Sequence, residues 1–189
     1  LIADSGPDVF YRGQIANLIV AEMTRGRGLI TKADLAGYAP KWRTPIRVGY
    51  RGYTVYSMPP ASSGGVTLGE ILNIMEGYDS LPPFGSAALL HLEAEAMRHA
   101  FIDRNQWLGD PDFVQMPLGR LLSKSYAAQL RGQIAPDHAT PTPPFTNGAE
   151  GGSNTTHYSI VDAQGNAVAV TTTLNNNFGS AVTVTGAGF

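Results

Sequence analysis

GGSNTTHYSIVDAQGNAVAV, residues 151–170, decides how the chain is read. Its second half holds HYSIVD and AVAVTTT, two strand patterns joined by AQGN, with Gly165 in the turn, and this predicts a β-hairpin. Its first half ends a stretch, QIAPDHATPTPPFTNGAEGGSN, that is rich in Pro, Gly, Thr and Asn and has no period. A stretch of that length is either functional or a linker. Thr155 and Thr156 stand at the junction. β-Propensity alone explains a threonine that opens a strand. A threonine placed after a cleavable linker, and before a second hydroxyl-rich strand ending TTTLNNN, also has a chemical use. Its hydroxyl is a weak nucleophile unless a base sits beside it, and its own free α-amine serves as that base. Such an amine titrates at about 7.7–8.0, so it is available near neutral pH. This use requires Thr155 to be a chain terminus, and therefore requires the Asn154–Thr155 bond to break. Side chains alternate along a strand, so Thr156 faces the other way and takes no part.

Working upstream, Tyr11, Ile15, Leu18, Ile19 and Met23 share one face, which predicts a helix over residues 8–25 stopped by Gly26 and Gly28. Thr31 is the expected cap of a short helix in TKADLAGY, with Asp34 in its first turn. In WRTPIRVGYRGYTVYSMPP, β-branched and aromatic residues alternate around Arg51-Gly52, predicting two short strands. ASSGG, residues 61–65, reads as a turn. Thr67 and Glu70 have capping-box spacing, so the next helix is expected to start near Thr67. The strongest helix pattern covers residues 86–108, with Leu90, Ala94, Met97, Phe101 and Leu108 as its buried stripe, and Asp110-Pro111 closes it. A further helix is expected over about 117–132. The chain thus divides into a mostly helical part (1–132), a mobile linker ending at the scissile bond (133–154) and a hairpin (155–189), an α+β arrangement.

The 189 residues suffice for one domain with a core, and 43% apolar with 15% charged residues suits a globular protein. A net charge of -2 argues against nucleic acid or an anionic membrane as the main partner. The absence of cysteine excludes disulfides, thiolate metal sites and cysteine nucleophiles. His91, Glu95 and His99 lie at i, i+4 and i+8, but without the H-E-x-x-H pattern they read as a solvated or interface face; no metal or cofactor is expected. Ser62 and Ser63 are explained by a turn and a helix cap, and Asp103, Arg104 and Asp110 by structural ion pairing. LIADSGPDVFYRGQ has no starting Met or signal-peptide shape, and TVTGAGF ends without a cap. Both ends look cut, so a piece of a longer protein is expected.

NTTHYSIVDAQGNAVAVTTTLNNNFGS resembles the processing site and opening hairpin of the γ-glutamyltranspeptidases, members of the N-terminal nucleophile hydrolase superfamily. The resemblance extends in order through GLITKADLAGY, RTPIRVGYRGYTVYSMPPASSGG, AFIDRNQWLGDPDF and SKSYAAQLRGQI, and so covers nearly the whole chain. It implies part of a four-layer αββα sandwich and a proenzyme that cuts itself between Asn154 and Thr155 into a large and a small subunit. It further implies that Thr155 carries a γ-glutamyl group from glutathione or related compounds to water, amino acids or dipeptides. Thr173 matches the family threonine that hydrogen-bonds the nucleophile, and Asn175 a residue that holds the substrate's α-amino and α-carboxylate end. The family's carboxylate-binding arginine and oxyanion glycines fall outside residues 1–189, so this stretch alone is expected to be inactive. A periplasmic or secreted location goes with the resemblance. Two other readings stand beside it: a cephalosporin-type acylase using the same Thr155, and an uncleaved, non-catalytic binding homologue.

Overall fold

The chain begins with short helices: α1 (Ile2–Ser5), α2 (Asp8–Tyr11), α3 (Gln14–Gly26) and α4 (Lys32–Gly37). The structure is a computed structural model, and it describes residues 1–142, 156–173 and 179–189. The single helix expected over 8–25 is two helices, broken at Arg12-Gly13. A side chain at Gly13 would come within 2.8 Å of the Val9 Cα, so the close turn there depends on glycine. Arg27, at φ 56°, ends α3 in the left-handed conformation usually taken by glycine. Thr31 caps α4 as expected: its hydroxyl accepts from the Asp34 N–H, and the Asp34 carboxylate accepts from the Thr31 N–H.

Strands β1 (Ile46–Tyr50) and β2 (Tyr53–Ser57) pair antiparallel, with Val48 opposite Val55. Arg51 and Gly52 both have positive φ (47° and 86°), the geometry of a two-residue hairpin turn that matches strand twist. Helix α5 (Gly64–Glu76) starts three residues before the expected Thr67. Thr67 and Glu70 are therefore not a capping box; both lie inside the helix and are buried. Helix α6 (Ala87–Trp107) is capped by Ser86, whose hydroxyl accepts from the Leu89 N–H. The helix expected over 117–132 is again two, α7 (Leu118–Leu121) and α8 (Lys124–Arg131). Ser123 divides them by accepting the Tyr126 N–H as the cap of α8.

The described residues form two units, Leu1–Lys41 with Phe145–Phe189, and Trp42–Pro144. In the first, Ile15 and Ile19 of α3 form a small core with Val184, and Phe10 stacks on Phe189. In the second, Ile74, Met75, Leu89, Ala96, Ala127 and Leu130 make one core cluster, and Ile46, Val48, Val66 and Leu121 another. The buried face of α6 is not the expected one. Leu90, Met97 and Phe101 are exposed, while Leu89, Ala96 and Ala100 are buried together with Glu95, His99 and Asp103. The small Ala96 and Ala100 let α6 lie close against its neighbours, and the polar residues find partners there.

After α8 the chain has no regular structure as far as residue 142, yet it is tied to α6. His91 Nε2 lies 2.6 Å from the Ala135 carbonyl oxygen, and the Thr140 N–H donates to Glu95 Oε1 at 3.0 Å. The expected hairpin follows as β3 (Thr156–Val161) and β4 (Ala167–Thr172), antiparallel from Thr156↔Thr172 to Val161↔Ala167. Gly165 has φ 83°, and Asp162 accepts the N–H groups of Gln164 and Asn166 across the turn. Tyr158, Ile160 and Val168 on this hairpin are exposed.

Candidate active site

The β3–β4 register organises the hydroxyl groups singled out in the sequence. Its first pair is Thr156↔Thr172 and its second His157↔Thr171. His157 Nδ1 lies 2.8 Å from Thr171 Oγ1, and His157 Nε2 lies 3.3 Å from Ser159 Oγ. A neutral imidazole has one donor and one acceptor nitrogen, so the two hydroxyls complete its bonding in complementary roles. The result is a polar strip, Ser159–His157–Thr171, along one face of the hairpin. Thr173 follows Thr171 by two residues, the spacing that keeps a side chain on one face of a strand. It stands directly after the last residue of β4 and is exposed. Asn154, Thr155 and Asn175 lie outside the described residues.

The alternatives weighed in the sequence resolve differently. His91, Glu95 and His99 do not form a solvated face, because Glu95 and His99 are buried. His91 is engaged with Ala135 as described, Glu95 pairs with Arg98 at 3.0 Å, and Arg98 Nη2 lies 3.0 Å from His99 Nε2. Burial alone would raise the Glu95 carboxyl, but the Thr140 N–H and Arg98 outweigh it and hold the group below its ordinary range. Burial, with Arg98 beside it, pushes His99 down, so this imidazole is held neutral. Among the described residues, no group of three or more such side chains is arranged to hold a metal ion.

The expected ion pairing of Asp103 and Arg104 is not found. Asp103 turns inward and accepts the Tyr126 hydroxyl at 2.7 Å, while Arg104 turns outward and donates to Ser63 Oγ at 3.0 Å and Asn105 Oδ1 at 2.8 Å. Ser63 therefore holds an arginine rather than capping α5 with its side chain. The second glycine of ASSGG has a packing role: a Cβ at Gly65 would run into the Met58 carbonyl oxygen. Two features were missed in the sequence. One is His157, whose signal was its place two residues before Ser159 in the period-two strand pattern. The other is Glu70, whose signal was its place one turn from Val66 and one from Ile74, on the apolar stripe of α5.

The gamma-glutamyltranspeptidase family profile matches residues 1–189. A glutathione hydrolase proenzyme of Pseudomonas sp. (strain A14) is 51% identical over 191 residues, covering 100% of this chain and 33% of that protein. A Helicobacter pylori gamma-glutamyltranspeptidase structure superimposes with a TM-score of 0.71 at 44% identity, over 81% of this chain and 45% of its own. A cephalosporin acylase structure from Bacillus halodurans gives 0.81 at 34% identity, over 100% of this chain and 33% of its own. The chain spans about a third of the length of the curated relatives it matches. Its mixed helices and two antiparallel hairpins are those of the N-terminal nucleophile hydrolases.

Proposed function

The chain belongs to the gamma-glutamyltranspeptidase family, and from that premise we propose that the protein containing it cuts itself at Asn154–Thr155 and then uses Thr155 to transfer γ-glutamyl groups. Thr155 Oγ1 attacks the Asn154 carbonyl carbon, the C–N bond breaks, and an ester replaces the amide. Water hydrolyses that ester, leaving a carboxylate on Asn154 and a free amine and hydroxyl on Thr155. In turnover the amine takes the hydroxyl proton as Oγ1 attacks the γ-amide carbonyl of glutathione or a related donor. The leaving amine receives the proton, and a γ-glutamyl ester remains on Thr155. Water hydrolyses it, or the amine of an amino acid or dipeptide accepts the group, the two-step pattern of covalent catalysis. Thr173 assists the nucleophile, and Asn175 holds the α-amino acid end of the donor. A periplasmic or secreted location belongs to the same proposal.

The observation that carries this reading is the ladder. It opens with Thr156↔Thr172, and in the sequence Thr155 comes directly before Thr156 and Thr173 directly after Thr172. Replacing Thr173 by valine keeps the shape and removes the hydroxyl. In steady-state assays of the full-length protein the expected outcome is a fall in kcat of about 10–100-fold with KM little changed, the mark of a group acting on the nucleophile rather than on substrate binding.

A second reading, an acylase acting on other amides, is favoured by the cephalosporin acylase structure, which covers the whole chain. A pair of chromogenic anilides separates the two: the processed full-length protein is expected to release the anilide from the γ-glutamyl compound faster than from the glutaryl one. The two donors differ by an α-amino group, so the ratio reads whether the site grips it. Preference for glutaryl would support the acylase.

A further inference from the structure

We propose that Glu70 and Asp103 share one proton and together form a pH-sensitive latch between α5, α6 and α8. The inference concerns a buried cluster and does not depend on the chemistry at Thr155. Glu70 is 1% exposed and Asp103 5% exposed, so both residues are buried. Asp103 stands within hydrogen-bonding reach of Glu70 and acts on it both as a charge and as a hydrogen-bond partner. Two ionised carboxylates have only acceptors, so a bond between them requires a proton on one. The Tyr126 hydroxyl donates to Asp103 Oδ2 at 2.7 Å, which brings α8 into the cluster and marks Asp103 as the acceptor of both bonds. Glu70 Oε1 has no hydrogen-bond partner, and neither has Thr67 Oγ1 one turn earlier on the same helix. An ionised Glu70 would therefore have little to stabilise it.

The surroundings agree with this assignment. Burial, then the Asp103 charge and the hydrogen bond to it, push Glu70 up to about 8, with Arg120 acting weakly in the other direction. Burial and the bond to Asp103 push Tyr126 up to about 12, so its hydroxyl stays a donor. From α7, the Arg120 guanidinium stands 4.4 Å over the Tyr126 ring. On α6, His99 lies one turn before Asp103 and is held neutral by burial. From the β1–β2 hairpin, this part of α5 meets the apolar Ile46 and Val48. Among the described residues Arg120 is the cation that acts on Glu70, and one cation serves one negative charge better than two.

Because Glu70 titrates higher when folded than its ordinary 4.5, the folded state binds more protons between the two values. The stabilising effect is complete below about 4.5 and is lost as pH rises through about 8. The test compares equilibrium unfolding of the full-length protein and its Glu70→Gln variant from pH 5 to pH 9. Glutamine keeps a donor for Asp103 and carries no charge. The folded-to-unfolded ratio of the wild type, divided by that of the variant, is expected to fall about tenfold per pH unit at its steepest. Parallel pH curves would overturn the proposal. If the variant fails to fold, infrared spectra of the wild type decide. A protonated carboxyl C=O band present at pH 7 and lost towards pH 9 supports the shared proton, and its absence at pH 7 overturns it.

Discussion

Replacing Thr155 by alanine in the full-length protein is expected to abolish self-cleavage and to lower γ-glutamyl hydrolysis by about 10⁴-fold or more, the scale on which enzymes lose rate when the attacking group is removed. Alanine takes away the only atom that performs both reactions in the proposed scheme, so the two losses should come together. Serine at the same position keeps a hydroxyl and the α-amine. Thr155→Ser should still cleave, more slowly, and should retain measurable turnover. Alanine at Thr156 is the matched control, since alternation turns that side chain to the other strand face. If the Thr155→Ala protein remained uncut yet kept full turnover, another residue would be the nucleophile and Thr155 would be only a strand-opening residue.

Gly65→Ala is expected to destabilise the protein by about 2–3 kcal/mol, whereas Gly64→Ala, one residue away, is expected to be neutral or slightly stabilising. The new methyl at residue 65 would collide with the Met58 carbonyl oxygen and approach Ile46 Cβ at 3.2 Å. The colliding atom is backbone, so it cannot swing aside as a side-chain tip would. Relief requires α5 to move away from Met58 and the β1–β2 hairpin, which opens the cluster of Ile46, Val48, Val66 and Leu121. At residue 64 the nearest atom is the Ser62 hydroxyl at 3.6 Å, an ordinary contact. There alanine's greater helix propensity is the remaining effect. Denaturant unfolding of the two variants measures the difference directly. Equal stabilities would show that α5 can shift freely, and would remove the packing explanation for the second glycine of the motif.

The hairpins and the Thr31 cap were legible in the sequence because their signals are local. Arg51-Gly52 and Gly165 mark turns that need positive φ, and Thr31 with Asp34 forms a complete reciprocal cap within four residues. What misled was information held in packing. Helix α6 carries apolar residues on two faces, and periodicity alone does not say which one meets α5. The face with Leu90, Met97 and Phe101 has the larger side chains, yet the face with Ala96 and Ala100 is the buried one. Glu95 and Asp103 look like surface residues until their partners Thr140 and Tyr126 arrive from elsewhere in the chain, and His99 is bonded by its own neighbour Arg98. Glu70 reads as half of a capping box for the same reason, since Thr67 and Glu70 have the right spacing wherever the helix starts. The breaks at Gly13 and Ser123 were missed because the apolar period runs across both. Of the site, the hairpin and the hydroxyl-rich end of its second strand followed from local pattern. The cleavage site and the role of Thr155 came from chemical reasoning joined to the family resemblance, and the roles of Thr173 and Asn175 from the resemblance alone.

The central claim is that Thr155 becomes a chain terminus, and the intact mass of the purified full-length protein tests it most directly. The account predicts two fragments whose masses meet between Asn154 and Thr155, with the Thr155→Ala protein remaining a single chain. A folded wild-type protein with one uncut mass would contradict it, and would leave a homologue that keeps the fold without the chemistry.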